Sequence, residues 1–393
     1  MLVLLTVMWL MLVPPAAVLD QDQKFIPVEG ATLQARQDSA VKRGESAGAE
    51  RFWTAYAFDV RPGVAVDFEF VGDDGSHFYI GEGTVFNFDG VVFNNDFGGT
   101  ASGSSVETRD LGVFLLRDAA AGGRVVRVEI YNLARRREYA GFPVYWLGRA
   151  ANEESLSLLR GIAESNRTGD VDEDATRAIA LHDDRRVAEV LLSLARGSLS
   201  QGVRARAVRA LGYPPVAPAT RDFLAGVARD EREGTDIRRS AIAAYGRGRD
   251  AQSLDFLQRL YDAVTSRELK RSVLSAVAGN DNRSAVVSFL VKVAEQDSDI
   301  ELRKKALAHL GEMAGERALG TLTETAGRVD ADTELQKQAV VAISRRPAAE
   351  AVPLLIKLAQ THAKPEVRKQ ALVLLGRTGD PAAISYLRSF LTK

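Results

Sequence analysis

Residues 301–311 read ELRKKALAHLG. Leu302, Ala306, Leu307 and Leu310 fall on one side of a helix at the helical period, and Arg303, Lys304 and Lys305 crowd the other side. Gly311 is expected to end the helix by taking the left-handed conformation. A helix this short does not hold in water unaided, so it must lean on neighbours.

The neighbours are copies of itself. The pattern returns as DVDEDATRAIA (170–180), GVRARAVRALG (202–212), DIRRSAIAAYG (236–246), ELKRSVLSAVA (268–278), ELQKQAVVAIS (334–344) and EVRKQALVLLG (366–376). The second residues of the seven copies fall at 171, 203, 237, 269, 302, 335 and 367, at intervals of 32 to 34. A register kept that long marks a repeat array. The second position is apolar each time: Val171, Val203, Ile237, Leu269, Leu302, Leu335, Val367. Four residues on stands a smaller side chain (Ala175, Ala207, Ala241, Val273, Ala306, Ala339, Ala371), which lets a neighbouring helix come close. Eight residues on stands a large one: Ile179, Leu211, Tyr245, Val277, Leu310, Ile343, Leu375. Stretches such as RSAVVSFLVKVAEQ and AAEAVPLLIKLAQ lie between the copies with their own helical period. Each unit is therefore a helical hairpin, and about seven hairpins bury one another in a row.

A D/E-V-R-x-x-A-x-x-A-L-G pattern at this spacing resembles HEAT repeats, particularly the short bacterial HEAT-like (PBS-lyase) type, over residues 152–393. The resemblance implies that the motif helix is the second of each pair and lines the concave side of a solenoid used to bind other macromolecules. The junction GFPVYWLGRAANEESLSLL is similar to that of exported bacterial proteins with a β-rich region ahead of such repeats. Some resembling families are enzymes. One hydroxylates a protein lysine derivative with iron held by His-Glu pairs, and another attaches bilin chromophores. This chain has no His-Glu dipeptide, and its repeat-region histidines, His182, His309 and His362, occupy non-equivalent positions. A HEAT-like hydroxylase or lyase-type enzyme is the alternative to a non-enzymatic interaction protein.

The chain ahead of the repeats reads differently. Over residues 24–148 the period is two, as in VAVDFEFV (64–71) and RVVRVEIYNL (124–133), with further strands expected at 53–60, 77–80, 111–117 and 143–147. Asp89-Gly90 between apolar runs predicts a hairpin. The expectation is an antiparallel β-sandwich-like domain, which makes the whole an α+β multidomain chain. Trp53 and Trp146 read as core or packing residues, and Asn152 as the cap of the first repeat helix. Residues 1–19 open with an apolar run of thirteen residues, interrupted by Thr6 alone and followed by prolines, too short for a bilayer span and fitting a signal peptide or an N-terminal anchor. The protein is thus expected outside the cytoplasm, periplasmic or secreted, touching a membrane only through that segment if it stays uncleaved.

Composition narrows the chemistry. The 51 basic and 52 acidic residues leave a net charge of −1, which argues against nucleic acid as partner. The absence of cysteine excludes disulfides, thiolate catalysis and zinc–cysteine sites. Asp89, Asn94, Asn95 and Asp96 stand among glycines without the spacing of a calcium loop. No catalytic, cofactor or metal constellation is read. The candidate partner-binding residues are the basic ones on the motif helices: Arg204, Arg206, Arg209, Arg238, Arg239, Lys270, Arg271, Arg303, Lys304, Lys305, Lys337, Arg368 and Lys369. They predict a discontinuous basic strip for a protein or peptide partner of acidic character. The competing reading pairs them with the acids that open each motif (Asp236, Glu268, Glu301, Glu334, Glu366).

Overall fold

The computed structural model describes residues 25–62, 64–71, 77–87, 110–133, 139, 141–165, 170–197, 200–213, 216–328 and 332–391. The N-terminal segment 1–19, the Asp89-Gly90 hairpin and the Asp89–Asp96 loop lie outside the described residues. The chain divides into two compact units, residues 1–207 and 208–393. Its elements begin with β1 (Ile26–Pro27), α1 (Leu33–Ser46), β2 (Arg51–Ala57), β3 (Val64–Val71), β4 (His77–Asn87), β5 (Leu111–Asp118), β6 (Arg124–Asn132) and β7 (Val144–Arg149). The helices α2 (Asn152–Ala163), α3 (Val171–Ile179), α4 (Val187–Arg196), α5 (Gln201–Ala210), α6 (Pro218–Arg229), α7 (Thr235–Gly246), α8 (Ala251–Ala263) and α9 (Arg267–Ala278) follow. The rest are α10 (Arg283–Gln296), α11 (Ile300–Gly311), α12 (Glu316–Gly327), α13 (Thr333–Ser344), α14 (Ala348–Thr361), α15 (Pro365–Arg377) and α16 (Pro381–Leu391).

The first unit is built on a five-stranded sheet in the order β1-β7-β2-β5-β6, beside an antiparallel β3–β4 pair. The strands read from the alternation are there, but the sheet is mixed. β2–β5 and β5–β6 are antiparallel, whereas β7 runs parallel to both β2 and β1. Parallel partners cannot be joined by a hairpin turn, and β3 to β6 lie between β2 and β7 in the chain. One face of the sheet packs Trp53, Phe114, Tyr131 and Tyr139 together, with the Trp53 indole donating to the Tyr139 carbonyl at 3.2 Å. Helix α1 was not expected. It buries Leu33, Gln37, Ala40 and Gly44, a helical spacing with a single large apolar residue, too polar to stand out in the sequence. Polar bonds hold it instead. Thr32 caps it, the Glu154 carboxylate accepts from the Leu33 N–H at 3.1 Å, and the buried Arg117 guanidinium donates to Gln37 Oε1 at 2.6 Å and Thr54 Oγ1 at 3.0 Å.

Asn152 does not cap α2; Ala151 occupies that position, and Asn152 is the first helical residue. Its side chain joins the end of the sheet to the first repeat helices, accepting from the Asp59 N–H at 3.2 Å and donating to the Asp183 carbonyl at 3.0 Å. Beside it Val60 pairs with His182 in an isolated bridge, and Arg61 donates to the Leu181 and Ala180 carbonyls, both at 2.9 Å.

The repeat columns are the core of the helical hairpins. Every residue of the three columns is buried: the small column from Ala175 to Ala371 is at 0% exposure throughout, and the most exposed member of the other two is Val171 at 7%. In the second unit each motif helix lies on the next, α7 on α9, α9 on α11, α11 on α13 and α13 on α15. This is the α-solenoid read from the repeat. Gly311 has a different job from the one expected. It stays helical rather than left-handed, and a Cβ on it would stand 2.6 Å from the Ala342 carbonyl oxygen and 2.9 Å from Ala342 Cα. Gly212 meets Ala244 and Gly246 meets Ala276 in the same way, at 2.5 and 2.7 Å. Each of these glycines clears space for the alanine at the ninth position of the following motif. Close approach of backbones, not turn geometry, is what the glycine provides.

Candidate functional site

The thirteen basic residues sort by their place in the motif. The third position is structural. Arg204 Nε donates to the Ala195 carbonyl at 3.2 Å, Arg238 Nε to Ala228 at 3.2 Å, and Arg303 Nε to Ala294 at 2.8 Å. These carbonyls sit in the last turns of α4, α6 and α10, where the helix leaves its final acceptors without partners and carries partial negative charge. Arg368 does the same just past α14, donating to the His362 and Ala363 carbonyls at 2.8 and 2.9 Å. Gln336 replaces arginine in α13 and reaches the Arg328 carbonyl at 2.6 Å. Lys270 lies 4.8 Å over the Tyr261 ring and 4.0 Å from Asp297. Arg204, Arg238, Arg303 and Arg368 thus clamp the C-terminal carbonyls of the preceding helix. A signal was in the sequence: Arg204, Arg238 and Arg303 follow their acceptor alanines by nine or ten positions, as Arg303 follows Ala294, while Arg368 reaches back only five and six.

The fourth and fifth positions divide. Arg206 meets Glu173 at 2.9 Å, Lys304 meets Glu301 at 3.0 Å and Lys337 meets Glu334 at 2.9 Å. Arg239 bridges Asp236 at 3.4 Å and the next motif's Glu268 at 2.8 Å. These exposed pairs contribute little to stability. Arg209 is exposed, and its carbonyl accepts from Arg247. For Arg271, Lys305 and Lys369, no carboxylate among the described residues stands within ion-pair distance.

One cluster stands out. Lys305 on α11 is half-buried and lies within electrostatic reach of Arg271 of α9 and of Arg345, which lies just past α13 outside the motif columns and escaped the sequence reading. Burial lowers the Lys305 ammonium pKa, Glu312 opposes the shift, and the two guanidiniums lower it further. Glu312 is the counter-charge, 3.1 Å from Arg345 and 3.6 Å from His309 Nδ1, and these neighbours keep its carboxyl below the ordinary glutamate range. The patch holds more positive than negative charge at the surface of three successive motif helices.

Two other places deserve chemical scrutiny. Ser155 Oγ lies 2.7 Å from His182 Nε2, the geometry of a nucleophile and its base. Both are buried to 2% exposure or less, however, as is Tyr56, whose hydroxyl is 3.0 Å from Ser155 Oγ. His182 Nδ1 faces the Ala178 carbonyl at 3.0 Å. A carbonyl cannot donate, so Nδ1 carries the proton, Nε2 accepts from Ser155, and Ser155 accepts from Tyr56. Burial pushes the tyrosine pKa up and holds the imidazole down to about 4, so both stay neutral. The chain is a structural bond between the sheet and the first hairpin. A cleft of about 1020 Å³ opens between α1, the β5–β6 turn and α2, with Arg117 and Gln37 among its lining residues. Asp38, Glu153 and Arg124 line it with both signs of charge. Among the described residues no group of His, Asp or Glu is placed to hold a metal ion. Nor does any helix there have the length and apolarity to cross a membrane.

Comparison with known proteins bears on the repeats. A family model for HEAT repeats matches residues 188–278 and 325–393. A comparison with curated proteins finds no match. Among solved structures, the chain is similar to human deoxyhypusine hydroxylase at 17% identity, covering 61% of this chain and 90% of that one with a TM-score of 0.30. It is similar to YibA of E. coli at 13% identity, covering 62% and 89% with a TM-score of 0.40. The CpcE–CpcF complex of phycocyanin lyase from Nostoc sp. PCC7120 matches at 19% identity, covering 51% and 79% with a TM-score of 0.32. With the register, the buried columns and the glycine–alanine contacts, the conclusion is direct: the chain carries HEAT repeats, preceded by a β-rich N-terminal domain.

Proposed function

We propose that this is an exported, non-enzymatic interaction protein that holds a protein or peptide partner along the motif helices of its solenoid. One observation carries the reading: once helix clamps and paired residues are set aside, two of the remaining motif-helix cations, Arg271 and Lys305, share the neighbourhood of Arg345 and the single carboxylate of Glu312. A carboxylate brought by a partner relieves the like-charge crowding at Lys305, and the long-range field speeds encounter more than it deepens affinity. The thirteen-residue apolar run near Met1 supports export.

Photo-crosslinking side chains placed at Arg271 and at Lys369, and as controls at Lys292 and Lys357 on α10 and α14, test the surface. In extracts of the envelope fraction, discrete adducts are expected from the first pair alone, and they should disappear with Lys305→Glu. Adducts from the control pair alone would move the docking surface elsewhere, and substrate turnover by the purified protein would replace the reading with the enzymatic alternative. N-terminal sequencing of the exported form tests the leader segment.

A further inference from the structure

Helices α1 and α2 both line the cleft of the first unit, whose volume of about 1020 Å³ is that of a site for a small organic ligand. Leu33, Gln37 and Val41 follow one another at four-residue steps along α1, so a polar amide interrupts an apolar stripe. Leu158 and Ile162 line the cleft from α2. Two lining glycines keep space open, because a Cβ at Gly122 or at Gly161 would find nothing within 4 Å. Gln37 is 2% exposed, and its Oε1 accepts from the Arg117 guanidinium at 2.6 Å. Its Nε2 is shut off from solvent and donates to nothing. A buried amide donor left unmet is costly and calls for an acceptor. The charges around the opening are short in the same direction. All three lining carboxylates are engaged: Asp38 accepts from Gln34 at 2.8 Å, Glu153 meets Arg186 at 2.6 Å, and Glu154 accepts from the Leu33 N–H at 3.1 Å. Arg124, exposed at the rim, has no carboxylate within ion-pair distance among the described residues.

We propose that this cleft binds a small amphiphilic carboxylate, one carboxylate head on an apolar body, with the Gln37 amide as donor to the head and Arg124 as its counter-charge. The head is an anion because the site lacks an acceptor and negative charge, and has donors and positive charge to spare. It carries one charge rather than two, since Asp38, Glu153 and Glu154 line the same opening and repel a phosphate dianion about twice as strongly. The body is apolar because Val41, Leu158 and Ile162 share the walls with those polar groups. Nε2 is closed to solvent, so the head reaches it by displacing Gln34, an exposed side chain three residues earlier on the same wall, held by its bond to Asp38. The cleft belongs to the first unit alone, and its assignment stands or falls apart from the docking surface on the motif helices.

Isothermal titration calorimetry of the full chain with sodium octanoate provides the test, with 1-octanol as the uncharged comparison. Octanoate is expected to bind at one site per chain and about tenfold or more tighter than octanol. Gln37→Glu keeps the oxygen that Arg117 grips and puts a charged oxygen where the donor stood. Octanoate affinity should fall by about tenfold or more, with the circular dichroism spectrum unchanged. Gly161→Leu fills the cleft from a helical position with open space around it, so the helix is kept or strengthened while octanoate binding is lost. The absence of saturable binding at millimolar octanoate overturns the proposal. So does equal affinity for octanol, or octanoate binding that both substitutions leave unchanged.

Discussion

Helical hairpins are held in two ways in this molecule. Where α2 and α3 meet the sheet, unlike elements are joined by directional polar bonds: Tyr56 to Ser155 to His182, Asn152 to Asp59 and Asp183, Arg61 to Ala180 and Leu181. Where hairpin meets hairpin in the second unit, the buried columns are apolar and the closest approaches are glycine against alanine. Like surfaces can interlock by shape alone, and the same solution serves at every repeat. Unlike surfaces have no shared shape to repeat, so hydrogen bonds fix the one register that works. Shape tolerates changes of pH and charge but not of volume. The polar joint has the opposite weakness.

That contrast can be broken by experiment. The largest expected effect is on the polar joint and acid. His182 titrates at about 4 in the folded protein against an ordinary 6.5, because burial disfavours its charged form more than Asp184 and Asp59 favour it. A base whose folded pKa is depressed stabilises most while both states are neutral. Its contribution is complete above pH 6.5, falls as pH drops towards 4, and saturates below that. The loss should amount to about 3 kcal/mol. Asp184, held at about 2 chiefly by its side-chain hydrogen bond with Arg186, stays ionised through that window. Urea titrations at pH 7 and pH 4 measure the difference, which should shrink in His182→Gln; an undiminished difference would place the acid sensitivity elsewhere.

Ser155→Ala should cost about 2 kcal/mol, since it leaves both Tyr56 Oη and His182 Nε2 buried without their shared partner. Chemical denaturation reads the loss, and a neutral result would remove the polar chain from the account of the joint. The stack should respond to volume instead. Gly311→Ala puts a methyl group 2.6 Å from the Ala342 carbonyl oxygen and is expected to destabilise by about 1–2 kcal/mol. Gly320→Ala, in a helix with nothing within 4 Å of the new carbon, should stabilise by up to about 1 kcal/mol. The same chemical change with opposite sign sharpens the argument; equal effects would mean that helix propensity alone governs both glycines. The smallest effect separates clamp from strip. Arg303→Met should lose about 1 kcal/mol with its bond to the Ala294 carbonyl, while Lys369→Met should stay within about 0.5 kcal/mol of wild type. Thermal melts compare the pair, and equal losses would dissolve the distinction.

The repeat register, the three buried columns and the hairpin nature of each unit could be read from residues alone, because burial on a helix imposes a period that a one-dimensional string preserves. Strands β2 to β7 were legible for the same reason at a period of two. Helix α1 was not, since Gln37 and Gly44 are buried there by bonds and contacts from distant chain, and no local pattern announces them. The parallel placement of β7 escaped too, because alternation fixes which face is buried but says nothing about direction or neighbours.

The candidate site shows the same division. Its basic composition and the motif positions of its residues were visible in the sequence, and so was the pairing of Lys304 with Glu301 three residues away. Which arginine clamps a helix end, and which lysine feels guanidiniums from α9 and from the segment after α13, depends on distances between residues far apart in the chain. A repeat writes its own packing into the sequence because each copy meets another copy of known pattern. A junction between unlike domains, or a charge cluster assembled from α9, α11 and the segment after α13, follows no period, so only the tertiary structure could decide it.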